Sequence, residues 1–346
     1  HFAFAAHALG RTMFAPTEPQ KNLCNRGTPM RTITALFVGL GSIGTRHLKN
    51  LANLCADRGW TLQADALRSD LTRPLRPGAA ELLHAQYTDL TAAPAHYDMV
   101  FITNPTSLHA EALRQVKGRG VALFIEKPIF SAEQTGLALD ELLPAGQKAY
   151  VAAPMRWCGA MLALKDRLPA LHPYCARVIC SSYLPDWRPG VDYRTVYSAR
   201  KALGGGVTID LIHEWDYLVD LFGVPQQLYN FKGTYSDLEI DSDDLSVYIA
   251  KYPTLLAEVH LDYFGRGYRR SIELFCRDGS YLADFGKGTL TLPDGTVQHY
   301  EEDVNRRYER EMEYFVDYAL DGSGESCNPP ALALKVLKLT LGENVQ

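Results

Sequence analysis

The sequence predicts an α/β fold: a doubly wound parallel sheet, followed by an α+β domain with a large, open, mostly antiparallel sheet. Three observations carry this. From residue 33 to about 152, short apolar runs alternate with stretches of helical periodicity, the pattern of parallel strands joined by crossover helices. From about 227 to 291, strand-like runs follow one another with only Pro, Gly and Asp-Gly punctuation between them, as in an antiparallel sheet. At 346 residues the chain has room for about two domains.

In the first half, residues 33–38 are a continuous apolar run, as in a strand buried on both faces. Residues 43–56 follow as a helix, with Ile43, His47, Leu48, Leu51, Leu54 and Cys55 at helical spacing. Strands are expected at 62–67, near 86–87, and at 99–103, 121–125 and 148–152. Helices are expected near 79–85 and at 109–117 and 131–142. In the second half, 176–183 reads as a strand, and Gly204-Gly205-Gly206 give a flexible entry to one helix running to about Phe222. Further strands are expected at 227–235, 245–251, 255–264, 269–276, 280–284 and 289–291, and helices at 306–320 and 330–340. The two domains are therefore expected at 30–150 and 151–346. Residues 1–29 contain Pro16, Pro19 and Gly27-Thr28-Pro29 and lack the basic start and long apolar run of a secretory signal. They are expected to be a disordered or non-native extension, with the native start at Met30.

The net charge of −5 offers no basic excess for nucleic acid. No apolar run approaches the ~18 residues of a membrane span. The seven cysteines are scattered and form no C-x-x-C pair, which argues against a disulfide scaffold or zinc ribbon and for a reducing, cytoplasmic setting. No metal-ligand cluster is visible.

Gly39-Leu40-Gly41-Ser42-Ile43-Gly44 matches G-x-G-x-x-G between a buried strand and a helix. In that setting the pattern reads as a dinucleotide site of the Rossmann type. Gly39 allows the tight turn, Gly41 lets backbone approach a pyrophosphate, and Gly44 lets helix and strand pack closely. The phosphates rest on free N–H groups at the helix start, those of Ser42 and Ile43 among them. The second strand ends in Leu67-Arg68-Ser69-Asp70. NAD sites place an acid here for the ribose 2′-hydroxyl, whereas a guanidinium suits a 2′-phosphate. Asp65 is too early and Asp70 too late, so Arg68 and Ser69 favour NADP(H), with NAD(H) possible. Arg46 and His47 either face the phosphates or are ordinary surface residues.

The segments Gly39–Gly44, Thr103-Asn104-Pro105-Thr106 with His109, Glu126-Lys127-Pro128, Met155-Arg156-Trp157, and Gly204–Gly206 followed by Asp210, His213 and Asp216 occur in order. This series resembles the family of glucose–fructose oxidoreductase, inositol dehydrogenase and MocA (Gfo/Idh/MocA). The resemblance covers roughly Met30 to Leu341. It implies a Rossmann domain, a substrate domain on an open antiparallel sheet, and reversible hydride transfer at a secondary alcohol of a sugar or polyol. It further implies that Thr103, Asn104, Pro105, His109 and Glu126 contact the cofactor, that Lys127 stands at the reacting centre, and that the Lys127–Pro128 peptide is cis. A cation there lowers the energy of a developing alkoxide.

Asp210, His213 and Asp216 recur every three residues, so neighbours in the series can share a helix face. An imidazole suits the base that takes the hydroxyl proton, and a carboxylate beside it would orient it. Asp210 serves in that way or binds a substrate hydroxyl. The commoner family pattern spaces acid and histidine by four residues, here three, which leaves the roles of Asp210 and Asp216 open; Glu214 is a further nearby acid. Arg156 is expected at the substrate, holding a carboxylate, phosphate or hydroxyls. The loop from Tyr183 to Arg194 is dense in aromatic and charged residues, Trp187 and Tyr193 among them, as sugar sites are. It resembles members linked to surface-sugar or nucleotide-sugar metabolism. Arg200 and Lys201 are candidates for a phosphate. Tyr263, Arg266, Tyr268, Arg269 and Arg270 are read as marking a sheet face or subunit contact, through which a homodimer or homotetramer would form.

Three readings compete. The first is a sugar or polyol dehydrogenase with Lys127, His213 and Asp210 in its site. The second is an epimerase or glycosidase that oxidises and re-reduces its sugar around a retained cofactor. The third is a non-catalytic nucleotide-binding regulator, which would need neither Lys127 nor His213.

Overall fold

The computed structural model describes residues 31–321 and 324–345; the expectations for residues 1–29 and for Met30 lie outside them. The first sheet has six parallel strands: β1 (Thr32–Val38), β2 (Thr61–Leu67), β3 (Leu83–Tyr87), β4 (Tyr97–Ile102), β5 (Gly120–Ile125) and β6 (Lys148–Val151). Their order is β3-β2-β1-β4-β5-β6, the doubly wound arrangement of the dinucleotide-binding fold. In β1, Ile33 and Ala35–Val38 are buried, as the unbroken apolar run predicts. Helices α1 (Ser42–Asp57), α2 (His109–Gln115) and the short α3 (Leu139–Leu142) connect strands. Two expected helices shrink. Near 79–85 only a 3₁₀ turn at Ala80–Leu82 forms before the chain enters β3, and 131–142 divides into a 3₁₀ turn at Ala132–Gln134 and α3.

Beyond α4 (Gly159–Arg167), which the sequence reading lacked, the second sheet has eight strands. They are β7 (Cys175–Tyr183), β8 (Gln227–Gly233), β9 (Leu245–Lys251), β10 (Leu256–Asp262), β11 (Phe264–Cys276), β12 (Gly279–Asp284), β13 (Thr289–Thr291) and β14 (Val297–His299). Their order is β14-β13-β12-β11-β7-β10-β9-β8, and only the β7–β10 pair is parallel. One face packs on α5 (Val207–Asp210), α6 (His213–Phe222) and α8 (Pro330–Thr340). The single helix expected from 207 to 222 is thus broken at Leu211 and Ile212.

Helix α7 (Val304–Leu320) leaves the second sheet and returns to the first. Its Phe315 meets Phe101 and Phe124 edge-on, and Met312 and Val316 join that core. Asn305 hydrogen-bonds Asn50 of α1. No helix among the described residues is long and apolar enough to cross a membrane. The six described cysteines are free.

Candidate active site

Register assembles the site. Val38 pairs with Ile102, Ile102 with Ile125, and Ile125 with Val151. The residues that follow these strand ends, Gly39, Thr103-Asn104, Glu126-Lys127 and Ala152, therefore line one edge of the sheet. In open α/β sheets the crevice beyond that edge is where ligands bind.

The glycine turn explains its own composition. Gly39 has φ +88°, and a Cβ there would lie 2.8 Å from the Asn104 Cα. A Cβ on Gly44 would lie 2.6 Å from the Gly39 oxygen. Gly41 differs, because a Cβ there would meet nothing within 4 Å. It faces open space at the start of α1, where no side chain caps the helix and no acid occupies the first turn. The N–H groups of this turn, including those of Ser42 and Ile43, are thus left to a ligand, and a dinucleotide pyrophosphate fits them. A second fit is Asn104, whose Oδ1 is buried with no donor while its Nδ2 donates to the Leu108 oxygen; a ribose hydroxyl would supply the missing donor. Thr103 Oγ1 donates to the Gly39 oxygen at 2.5 Å and ties the two turns together.

At the end of β2, Arg68 Nη1 donates to Gln86 Oε1 at 2.7 Å and Nη2 to the Arg73 oxygen. Arg68, Arg73 and Arg76 line a cavity of about 430 Å³. Ser69 is exposed. Asp65 lies mid-strand, buried, accepting from Tyr97 Oη at 2.8 Å and from His84. Asp70 accepts from Thr72.

Several expected contacts are occupied by the protein itself. His47 does not face phosphates: it is fully buried and its Nε2 donates to Glu126 Oε1 at 2.6 Å. Glu126 also accepts from the Lys127 N–H at 3.0 Å. Burial alone would raise the Glu126 carboxyl, but the His47 hydrogen bond and charge, with Lys127, outweigh it and hold the group below its ordinary value. Glu126 is therefore a brace under Lys127 rather than an open cofactor ligand. His109 is likewise internal. Its ring nitrogens lie 3.1 Å from the Ile129 and Asn104 carbonyl oxygens, clamping two loops, and burial lowers its pKa. Arg46 stacks on Tyr308.

Arg156 is corrected most clearly. Its guanidinium, 3% exposed, donates to both oxygens of Asp216, to Asp220, to the Cys327 oxygen and to Asn328 Oδ1. With its donors spent on this network, it has none for substrate. Asp216 is committed to the same pair and does not orient His213; Glu214 is committed to Arg270, at 2.7 and 3.1 Å.

Lys127, Asp210 and His213 do come together. The Lys127–Pro128 peptide is cis. Lys127 and His213 line one small cavity with Ile212, Asp216 and Asn328. Burial drives the His213 imidazole well below its ordinary value, and the charges of Lys127, Arg270 and Arg307 push the same way. It is neutral at physiological pH, and no hydrogen bond engages its ring among the described residues. Asp210 accepts from Tyr263 Oη at 2.6 Å and from the Ser198 hydroxyl; burial raises its carboxyl despite these bonds and the charge of Lys127.

Tyr263, read from sequence as part of a sheet face or subunit contact, is fully buried against this acid. Trp187 meets the Tyr263 ring edge-on at 5.2 Å and donates to Ser182, so it backs the site. Tyr193 does not: its Oη accepts from the Glu239 N–H. The Arg200 guanidinium pairs with Asp241 at 3.7 Å, and Lys201 meets the same acid through its backbone N–H. The glycines before α5 are packed rather than flexible. A Cβ on Gly205 would lie 2.0 Å from the Tyr197 oxygen, and one on Gly206 (φ +134°) 2.2 Å from Asp243 Oδ1. Sequence offered no signal for Tyr263, Ser198 or Arg307, which arrive from distant strands, loops and helices.

Among the described residues, no group of three or more His, Cys, Asp or Glu is arranged to hold a metal ion. Residues 33–151 match the profile of the Gfo/Idh/MocA oxidoreductases, described as an oxidoreductase family with an NAD-binding Rossmann fold. The uncharacterized oxidoreductase YrbE of Bacillus subtilis (strain 168) is 24% identical over 272 residues, covering 75% of this chain and 76% of its own. Among solved structures, a levoglucosan dehydrogenase in complex with NADH superimposes with TM-score 0.74 at 16% identity, over 90% of this chain and 96% of its own. A myo-inositol 2-dehydrogenase from Lactobacillus plantarum does so with TM-score 0.71 at 19% identity, over the same shares.

Proposed function

We propose, from the premise that the chain is a Gfo/Idh/MocA oxidoreductase, that it moves a hydride between a nicotinamide and a secondary alcohol or ketone of a sugar, polyol or nucleotide-sugar. The observation that carries the reading is the meeting of Lys127, Asp210 and a neutral His213 at the sheet edge that begins with the glycine turn. The nicotinamide, when bound, supplies the hydride chemistry. Lys127 stabilises the alkoxide as the substrate hydroxyl loses its proton. His213, neutral because it is buried among cations, has a lone pair free to accept that proton. Asp210, with its raised carboxyl, holds a substrate hydroxyl or relays the proton onward.

For the cofactor, Ser42, Ile43 and the open space over Gly41 would take the pyrophosphate. Thr103, Asn104 and Pro105 would flank the nicotinamide ribose. Arg68, with Ser69 beside it, would meet the adenosine ribose, and three arginines around that cavity favour NADP(H) over NAD(H). The test is a calorimetric titration with NADPH and, separately, NADH. Tighter NADPH binding supports both the site and the arginine reading. Tighter NADH binding removes Arg68 as selector, and binding of neither refutes the oxidoreductase reading. Lys127→Ala is expected to lower kcat/KM by about 10²–10³-fold with cofactor affinity within a few fold; near-normal turnover would exclude Lys127 from the chemistry.

A further inference from the structure

Pairing off the charges around His213 leaves one guanidinium over. Glu126 is paired with His47, Asp216 with Arg156, Glu214 with Arg270 and Glu302 with Arg310. Asp210 is held by the hydroxyls of Tyr263 and Ser198 and lies near Lys127. Of the three cations whose charges bear on the imidazole, Arg270 is neutralised by Glu214, and Lys127 has Asp210 close by. Arg307, in the first turn of α7, has no carboxylate partner among the described residues. Its Nε is buried without an acceptor, and its Nη1 rests on Met155 Sδ at 2.8 Å, a weak acceptor.

Arg307 is half-buried, and a buried guanidinium N–H left without an acceptor is costly. The group's planar fork matches carboxylate and phosphate oxygens. We propose that Arg307 binds a carboxylate or phosphate carried by the substrate close to its reacting carbon, so that the substrate is an acidic sugar derivative rather than a neutral sugar or polyol. This rests on the oxidoreductase reading above. The cofactor pyrophosphate has similar chemistry, and the neighbours of Arg307, Asn305 and Tyr308, pack on Asn50 and Arg46 of α1, so the test below separates the two sources. Arg307 rests on Met155, which follows β6 on the Lys127 side of the sheet, and its charge bears on His213.

The test is calorimetric titration of the protein loaded with NADPH or NADH, whichever it binds more tightly, with D-glucuronate, D-glucose 6-phosphate and D-glucose, for the wild type and Arg307→Met. At least one anion is expected to bind about tenfold or more tighter than glucose in the wild type, and the preference should vanish in the variant. The cofactor dissociation constant should stay within about twofold. Arg307→Lys, which keeps the charge, should retain part of the preference and guards against a folding defect in Arg307→Met. No anion preference in the wild type, or one unchanged by Arg307→Met, overturns the proposal. So does a loss confined to cofactor affinity, which would assign Arg307 to the pyrophosphate. Failure of the wild type to bind either nicotinamide cofactor would instead be the failure of the oxidoreductase reading, read in the same experiment before any sugar is added.

Discussion

Tyr263 shows what a single hydroxyl does in this site. It donates to a buried carboxylate, so it favours the ionised form of Asp210. Removing it in Tyr263→Phe leaves burial unopposed by that bond, and the Asp210 carboxyl rises further. If turnover needs ionised Asp210, the acid limb of the kcat/KM profile moves to higher pH, and activity is lost first on the acid side. A profile that only drops in height, without moving, would reduce Tyr263 to packing. Legibility at this scale divides by distance along the chain. Gly39, Gly41 and Gly44 were readable because their reasons are local: a turn, an open approach to the helix start and a close packing of helix on strand. Arg156 was misread because its partners Asp216 and Asn328 stand 60 and 172 residues away, and no local pattern tells a satisfied guanidinium from a free one. His109 and His47 were misplaced for the same reason.

Among the elements, α7 binds the molecule together through a buried acid. Glu311 Oε1 accepts from Tyr150 Oη at 2.8 Å and from the Ala153 N–H at 2.6 Å, holding the helix to the end of β6. Burial pushes its carboxyl up to about 8, against an ordinary 4.5. Between those values the folded protein keeps a proton that the unfolded chain releases, so stability falls as pH rises through that window. Glu311→Gln removes the titration. Its urea midpoint, relative to the wild type, is expected to improve from about pH 5 to about pH 8; a constant difference would show that Glu311 does not titrate there. Strands of the first sheet were readable from continuous apolar runs. The helix break at 211–212 was not, because Leu211 and Ile212 continue the apolar pattern without a Gly or Pro to mark it.

For the molecule as a whole, the alternation of elements disclosed both sheets, but not the parallel β7–β10 pair or the return of α7 to the first sheet, since both are long-range choices. The second sheet keeps one face open. Tyr229 and Phe231 on β8 and Ile249 on β9 are exposed there, beside a groove of about 570 Å³ lined by Val247, His260 and Arg266 among others. An apolar sheet face of this kind calls for cover, and the expectation remains a homodimer or homotetramer closed over it. Light scattering should give two or four times the chain mass, and Phe231→Glu should shift the population toward monomer. A wild type that stays monomeric at high concentration would remove this assignment.

The interruption between α5 and α6 has an electrical consequence. Because α6 begins at His213, the imidazole stands at the positive end of that helix's macrodipole rather than midway along a longer one. A helix start disfavours a cation, so the backbone itself opposes protonation of His213. The break thus adds to what burial and the neighbouring cations already do to the imidazole: an unbroken helix would carry the same histidine past its own positive pole and give up that part of the field.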